Sequence, residues 1–207
     1  MSGVTVSADG VVTGNTYDKY GSGNPVVRRL MAGFERSLDE LFRAAAPRTL
    51  LDVGCGEGVL VQRWAQRIGT GRVVGIDLEE DSIQAGWREH QAPNLEYRVV
   101  SGESLPFAEG EFDMVSAIEV LEHVPDPERT LAEMARCAQR HLLVSVPREP
   151  LWRMLNMARG AYLRELGNTP GHLNHFSTRA FVSLLARHGE VAAVRSPFPW
   201  TMVLVRV

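Results

Sequence analysis

A chain of 207 residues is long enough for one α/β domain with a sizeable core and too short for two. Its 22 basic and 25 acidic residues give a formal net charge of −3, which argues against a general attraction to nucleic acid or to an anionic membrane. The two cysteines form no C-x-x-C pair, no secretory signal is visible, and no apolar run approaches the roughly 20 residues of a membrane-spanning helix. These features predict a cytoplasmic protein without a membrane span.

The chain begins with residues rich in Gly, Ser, Thr and Asn, which predict a flexible arm over residues 1–24. Tyr17 and Tyr20 in this arm are candidates to fold over a bound ligand. Residues 25–207 are expected to form one domain. It opens with a helix from Pro25 up to Pro47, because apolar residues recur there at helical spacing.

Strands and helices then alternate along the chain. Strands are expected at 49–54, 72–77, 95–100, 112–118, 141–146, 190–195 and 201–205, with helices at 59–68, 82–90, 126–139 and 178–188. Nearly continuous apolar strands alternating with helices predict an α/β fold whose parallel sheet is covered on both faces. The turn-rich residues 197–199 predict a closing antiparallel strand. Residues 148–176 interrupt the alternation after the fifth strand and are interpreted as a helical lid insertion.

A glycine-rich turn follows the first strand of this pattern, in the stretch LDVGCGEG at 51–58. Its spacing is G-x-G-x-G, whereas a dinucleotide-binding turn reads G-x-G-x-x-G. The carboxylates of Asp52 and Glu57 would repel a pyrophosphate resting on the following helix. The turn therefore favours a ligand with positive charges and no phosphate, such as S-adenosylmethionine with its ammonium and sulfonium groups.

Two further turns belong to this predicted nucleoside site. Asp77 ends the second strand in GID (75–77) and is placed to accept hydrogen bonds from both ribose hydroxyls. The third strand leads into Ser101, whose hydroxyl and neighbouring backbone can meet an adenine edge. The complete set of predicted cofactor-binding residues is Asp52, Gly54, Cys55, Gly56, Gly58, Asp77, Leu78, Ser101, Gly102, Glu103, Ile118 and Glu119.

Five motifs occur in a characteristic order: LDVGCGEG at 51–58, GID at 75–77, ESLPF at 103–107, FDMV at 112–115 and EVLEHVPDP at 119–127. With them the chain resembles the class I S-adenosylmethionine-dependent methyltransferases, particularly the ubiquinone and menaquinone biosynthesis type. The resemblance covers residues 48–147 strongly and 175–185 weakly. It implies a Rossmann-like fold with a mostly parallel seven-stranded sheet, and S-adenosylmethionine as cofactor. Ser101 departs from the pattern, since many relatives have an Asp there.

The E-x-x-E-H cluster of Glu119, Glu122 and His123 follows the fourth strand, at the edge where open α/β sheets bind ligands. In one interpretation His123 is a general base, with Glu122 beside it as a second catalytic residue. In another, Glu119, Glu122, His123 and His175 bind a divalent ion such as magnesium, with His172 as the alternative histidine. Some quinone O-methyltransferases and small-RNA 2′-O-methyltransferases resemble this chain in that cluster. In a third interpretation Glu119 contacts the cofactor's ammonium and His123 only packs.

The acceptor is predicted to be a small molecule methylated on oxygen. A metal-dependent RNA 2′-O-methyltransferase and a non-catalytic nucleoside-binding protein are the alternatives; the acidic net charge argues against nucleic acid. The lid residues Trp152, Met154, Met157 and Tyr162 either line an apolar acceptor pocket or form the core face of a helix. A monomer or a homodimer is expected.

The acidic glycine turn generates the first testable prediction. S-adenosylmethionine should bind measurably in isothermal titration calorimetry, because its positive groups suit the carboxylates of the turn. NAD should give no measurable heat of binding, since its pyrophosphate would be repelled. Tight NAD binding would contradict this assignment and favour a dinucleotide-binding protein.

Overall fold

The computed structural model describes residues 24–78 and 80–207, together with two short strands, β1 (Thr5–Val6) and β2 (Val12–Thr13), that pair antiparallel. The rest of the expected arm, including Tyr17 and Tyr20, lies outside the described residues. Over the part of the chain that the structure describes, no helix combines the length and the apolar character needed to cross a membrane.

Helix α1 (Pro25–Ala45) begins at a capped amino terminus. The Asn24 side chain accepts a hydrogen bond from the Val26 N–H at 2.9 Å, and Pro25 occupies the first helical position, where its missing N–H costs nothing. The helix buries one apolar face of Met31, Phe34, Leu38, Leu41, Phe42 and Ala45 against the sheet. Burial of this face, at the predicted spacing, places α1 beside the strands that follow.

The seven-stranded sheet has the order β5-β4-β3-β6-β7-β9-β8. Its strands are β3 (Leu50–Val53), β4 (Val73–Asp77), β5 (Leu95–Val99), β6 (Phe112–Ile118), β7 (Ala138–Pro147), β8 (Glu190–Arg195) and β9 (Trp200–Arg206). The first five pair in parallel, and β9 runs antiparallel to both β7 and β8. The expected mostly parallel sheet with an antiparallel closing strand is thereby confirmed.

Helices lie on both faces of the sheet. Besides α1, they are α2 (Val59–Ile68), α3 (Asp81–Glu89), α4 (Pro127–Cys137), α5 (Leu151–Ala158) and α6 (Thr178–Leu185). Successive strand residues point to opposite faces, so Leu50 and Leu51 enter two different core clusters. All four residues of β3 are buried, as expected for a strand covered on both faces.

Several boundaries differ from the sequence expectation; α6, for example, ends at Leu185 rather than at residue 188. The helix predicted to reach residue 139 ends at Cys137, and β7 starts at Ala138, which pairs with Phe112 of β6. The strand is therefore longer than the apolar run His141–Val146, because Ala138 already pairs with β6 ahead of a register shift between Phe112 and Met114. Helix α5 follows β7 directly, so the insertion is helical where it begins.

The chain reverses its direction of travel across the sheet between β3 and β6. It moves outward from β3 through β4 to β5, then returns to place β6 on the other side of β3. Crevices at the carboxyl ends of strands at such a switch point are where open α/β sheets bind ligands. The glycine turn after β3 and the loop after β6 both border this crevice.

Candidate active site

The glycine turn owes its shape to three residues with positive φ angles: Gly54 at 71°, Gly56 at 53° and Gly58 at 91°. A Cβ atom on Gly54 would collide with the Val120 side chain, and one on Gly58 with the Tyr97 hydroxyl. A Cβ on Gly56 would meet nothing within 4 Å. Gly54 and Gly58 are therefore needed for packing, whereas the space beside Gly56 is open to a ligand.

Gly56 is held in place from both sides. Its N–H donates to Asp77 Oδ2 at 2.6 Å, and its carbonyl accepts from the Trp87 indole N–H at 2.8 Å. Asp77 Oδ1 also accepts the Leu78 N–H at 2.8 Å. Asp77 thus braces the turn, a role that the sequence did not suggest, while its oxygens retain lone pairs for further donors such as ribose hydroxyls. Trp87 was not predicted, and no sequence pattern singles it out.

Burial shifts the acidity of both aspartates at this edge of the sheet. It raises the pKa of Asp52 to about 7, although a 2.7 Å hydrogen bond from the Ser116 hydroxyl favours the ionised form. Burial likewise raises the pKa of Asp77, against the backbone donors Gly56 and Leu78. A cation bound between the glycine turn and these carboxylates would offset the cost of burying their charge. The site therefore suits a ligand with positive groups.

The remaining predicted cofactor residues lie on the turns around this crevice. Ser101, which is exposed, accepts the Glu103 N–H on its hydroxyl at 3.3 Å and so shapes its own turn. The Glu103 carbonyl accepts from Arg129 Nε at 3.0 Å, which ties the turn to α4. Gly102 lies beside Val53 at the end of β3, Ile118 ends β6, and buried Cys55 lies in the glycine turn. Whether these residues contact a cofactor stays a prediction.

Glu122, His123 and His172 bring one ligand atom each to within 4.8 Å of one another. Glu122 and His172 are buried, and His123 is half-buried. His123 Nδ1 lies 2.9 Å from the Gly171 carbonyl, which assigns the ring proton to Nδ1 and leaves the Nε2 lone pair on the side of Glu122 Oε1, 4.0 Å away. A histidine that donates its other ring N–H to a carbonyl is typical of metal ligands.

The two loops that carry this cluster are joined by Asn174. The Leu173 and Asn174 N–H groups donate to the Glu122 carbonyl at 2.7 and 3.0 Å. The Asn174 side-chain amide donates to the carbonyls of Leu121 and Val124 at 3.0 and 2.7 Å. Asn174 therefore fixes the distance between Glu122 and His172, a function that the sequence did not reveal.

Helix α5 supports His172 from the other side. The Trp152 ring is nearly parallel to the His172 ring, with centroids 6.2 Å apart. Its indole N–H donates to Thr169 Oγ1 at 2.9 Å, and the buried Asn156 amide donates to the same oxygen and to the Gly167 carbonyl. These bonds order the loop 167–172, which has no regular secondary structure.

His175 and Glu119 do not belong to the three-residue group, which corrects the set expected from the sequence. His175 is exposed, and its Nε2 lies 2.8 Å from Asn168 Oδ1. The Glu119 carboxylate accepts the Trp200 indole N–H at 2.7 Å and the Ser145 hydroxyl at 3.2 Å. His172, weighed as the alternative to His175, is the histidine that the fold brings to Glu122 and His123.

The apolar residues of the lid segment separate into two groups. Trp152 is half-buried beside His172, as described above, whereas Met154 and Met157 are 57% and 38% exposed. The methionines therefore do not form the core face of α5, which was one of the two interpretations. Tyr162 is half-buried in the turn after α5. Whether these residues line an acceptor pocket stays a prediction.

Comparison with known proteins shows what the residues at this edge of the sheet resemble. The family described as "Methyltransferase domain" matches residues 51–141. A ubiquinone biosynthesis O-methyltransferase of Hahella chejuensis is 43% identical over 102 residues, which are 47% of this chain and 42% of that protein. Another of the same name, from Albidiferax ferrireducens, is 44% identical over 86 residues, 40% of this chain and 33% of that protein. The chain spans less than half the length of these relatives.

Solved structures extend the likeness over most of the fold. The magnesium protoporphyrin IX methyltransferase of Synechocystis, solved with bound SAH, superposes with a TM-score of 0.66 at 19% identity, covering 91% of this chain and 90% of that one. A putative methyltransferase in complex with the Trm112 activator of Haloferax volcanii gives 0.66 at 17% identity, covering 86% and 93%. At these identities the likeness concerns the fold.

The glycine turn generates a matched pair of variants. Gly56→Ala should fold, at a cost of roughly 1–2 kcal/mol for a side chain at positive φ. It should lose affinity for S-adenosylmethionine, because the new methyl group occupies the space left for a ligand. Gly54→Ala should be destabilised by clearly more, since its methyl group also collides with Val120. Thermal unfolding and calorimetry measure the two effects; equal destabilisation with unchanged affinity would contradict the assignment of Gly56.

The pKa of Asp52 generates a pH prediction. A carboxyl with a pKa of about 7 in the folded chain and of 3.8 in the solvent-exposed, unfolded chain binds a proton more tightly when folded. Its contribution to stability is therefore present below about pH 4 and is lost as the pH rises through 7. Asp52→Asn should remove this dependence. Between pH 5 and pH 8 the free energy of unfolding of the parent should therefore fall by about 3 kcal/mol more than that of the variant.

Urea unfolding of both proteins at the two pH values measures this difference. Ser116→Ala is the matched control, because it removes the hydrogen bond that favours the ionised form and should steepen the dependence. Parallel pH profiles for the parent and Asp52→Asn would show that Asp52 is ionised at both pH values.

Proposed function

Because residues 51–141 match the methyltransferase domain family and the chain has the fold of class I methyltransferases, we propose that it transfers a methyl group from S-adenosylmethionine to an oxygen of a small-molecule acceptor. In this proposal Glu122, His123 and His172 hold a divalent cation beside the acceptor. The observation that carries it is the convergence of these three side chains at the carboxyl end of β6.

The cofactor's place is supported by the glycine turn. Gly56 is fixed by Asp77 and Trp87 before any ligand arrives, so binding need not order this backbone. The open space at Gly56 admits the nucleoside close to the main chain, and Asp77 has lone pairs for the ribose hydroxyls. The buried carboxylates of Asp52 and Asp77 favour a ligand with positive charge.

The side chains of Glu122, His123 and His172 form a donor set that fits a divalent cation. One carboxylate and two imidazoles are ligands that favour zinc, manganese or iron over magnesium, which prefers oxygen ligands alone. Three protein ligands leave coordination positions for other molecules, which is typical of catalytic metal sites. When bound, such a cation would supply the positive charge that allows an acceptor hydroxyl to lose its proton near neutral pH.

The chain's own residues do the remaining work. The bond between His123 Nδ1 and the Gly171 carbonyl keeps the Nε2 lone pair on the side of the cluster. Asn174 keeps Glu122 and His172 at a constant separation, and Trp152 offers a flat apolar surface beside His172. Transfer from a sulfonium needs alignment more than acid–base chemistry, because its leaving group is neutral. These contacts supply that alignment.

A second candidate mechanism uses the same residues without a cation. His123 Nε2 would accept the acceptor's proton directly, and Glu122 would stabilise the resulting imidazolium. The tautomer set by Gly171 suits this role as well. The burial of His172 beside His123, with ring centroids 4.9 Å apart, favours the cation, because a second imidazole adds a metal ligand whereas a general base needs only one histidine.

The other parts of the proposal rest on composition and on the relatives. The relatives that match 40–47% of this chain are called O-methyltransferases, which supports oxygen as the acceptor atom. An acidic balance of 25 carboxylates to 22 basic side chains supports a small molecule over RNA. Location in the cytoplasm and a monomeric or dimeric state remain predictions.

Two histidines three residues apart allow a matched test of the cation. The chain should bind one Mn²⁺ in calorimetry in the presence of S-adenosylmethionine. His172→Ala should weaken this binding by at least tenfold, because it removes a ligand, and His175→Ala should not change it. A screen of hydroxyl-bearing small molecules, followed by S-adenosylhomocysteine release, should identify an acceptor.

Activity on that acceptor separates the two mechanisms. If the cation takes part, a chelator should abolish turnover in the parent and Mn²⁺ or Zn²⁺ should restore it. A chelator without effect, together with a pH–rate profile altered by His123→Ala, would establish the base instead. If none of the hydroxyl-bearing molecules causes release of S-adenosylhomocysteine, the proposed acceptor class is wrong.

A further inference from the structure

Glu119 ends β6 in a conformation that non-glycine residues rarely adopt. Its φ angle is 62°, in the left-handed region, although Glu has a Cβ atom. Such a conformation persists only where surrounding contacts enforce it, and it often marks a functional position. The enforcing contacts come from β7, which pairs with β6, and from β9, which lies on the far side of β7.

Hydrogen bonds from residues of β7 and β9 fix Glu119. Its N–H donates to the Ser145 carbonyl of β7 at 3.1 Å, and its Oε1 accepts the Ser145 hydroxyl at 3.2 Å. Its Oε2 accepts the indole N–H of Trp200, the first residue of β9, at 2.7 Å. The backbone and both carboxylate oxygens are therefore directed toward the sheet.

Trp200 cannot easily withdraw from this bond. The residue is 4% exposed, its ring meets Phe34 of α1 edge-on at 4.9 Å, and its centroid lies 5.9 Å from that of Trp152 in α5. An indole N–H is a donor only, so it can be satisfied by the carboxylate and cannot act as a ligand itself. Helices α1 and α5 thus hold the Trp200 indole in contact with Glu119.

Glu119 is also only three residues from Glu122, yet it is not a member of the group formed by Glu122, His123 and His172. A carboxylate is a common cation ligand, and a fourth protein ligand would complete a tetrahedral site. Closed sites of that kind are structural, whereas a site that acts on a substrate keeps a position open. The location of Glu119 therefore bears directly on what the site can bind.

We infer that Trp200 and Ser145 are positioning residues that hold Glu119 out of the cation site and so keep one coordination position open for the acceptor. The inference rests on the proposed function, because it presumes a cation at Glu122, His123 and His172. In physical terms, the hydrogen-bond donors of β7 and β9 compete with the cation for the Glu119 carboxylate. Removing a donor shifts that competition toward the cation.

The test measures Mn²⁺ affinity by calorimetry in the full chain with S-adenosylmethionine present. Trp200→Phe keeps an aromatic ring against Phe34 and Trp152 but removes the N–H. It should tighten Mn²⁺ binding about tenfold or more, in the range of effects known for residues around metal ligands. The double variant Trp200→Phe with Glu119→Gln should return to the parent affinity, because the effect acts through Glu119. Ser145→Ala should tighten binding by a smaller factor and guards against misfolding of the Trp200 variant.

Glu119→Gln alone is the decisive control. The inference expects Mn²⁺ affinity within about twofold of the parent, since the carboxylate is not a ligand there. A tenfold loss with Glu119→Gln, or an unchanged affinity with both Trp200→Phe and Ser145→Ala, would overturn the inference while leaving the three-residue site intact. If neither the parent nor His172→Ala binds Mn²⁺ measurably, the proposed cation site is wrong, and so is the inference that depends on it.

Discussion

Val120 packs against the α-carbon of Gly54, at the point where the sheet reverses its strand order between β3 and β6. The contact leaves no room for a side chain on the glycine, so the Val120 side chain of the loop after β6 lies directly against the backbone of the turn after β3. The turn on one side faces the open space at Gly56. The loop on the other side carries Glu122 and His123. The separation of the nucleoside site from the three-residue group is therefore set by a van der Waals contact.

Much of this arrangement follows from local sequence. The buried strands of four to seven residues, the glycines at 54, 56 and 58, and the acidic residue at the end of β4 each express a constraint that acts within a few residues. The carboxyl ends of parallel strands must meet at one edge, so the pattern also places the glycine turn near E-x-x-E-H. Capping at Asn24 and Pro25 likewise predicts where α1 begins.

The third member of the cluster could not be derived in that way. His172 and His175 lie in the same irregular segment, where Tyr162 and Leu166 have positive φ angles of 53° and 50° despite carrying side chains. Neither helical nor strand periodicity governs such a chain path. The choice depends on bonds from Asn174 to the loop after β6, and from α5 to Thr169. The same limit applies to Ser116 and Trp200, whose partners are 64 and 81 residues away in sequence.

Trp200 has a consequence for the order in which the protein assembles. β9 lies between β7 and β8; its pairing with β8 is local, whereas its pairing with β7 joins residues 200–206 to residues 141–147. Contacts between residues far apart in sequence form late, because the loop entropy is lost before the contact is gained. The contacts of the glycine turn described above reach Asp77, Trp87, Tyr97 and Val120, and a ribosome-bound chain acquires these residues before residue 200. In such a nascent chain the Glu119 carboxylate is already present, while the Trp200 indole that holds it in the complete protein is not.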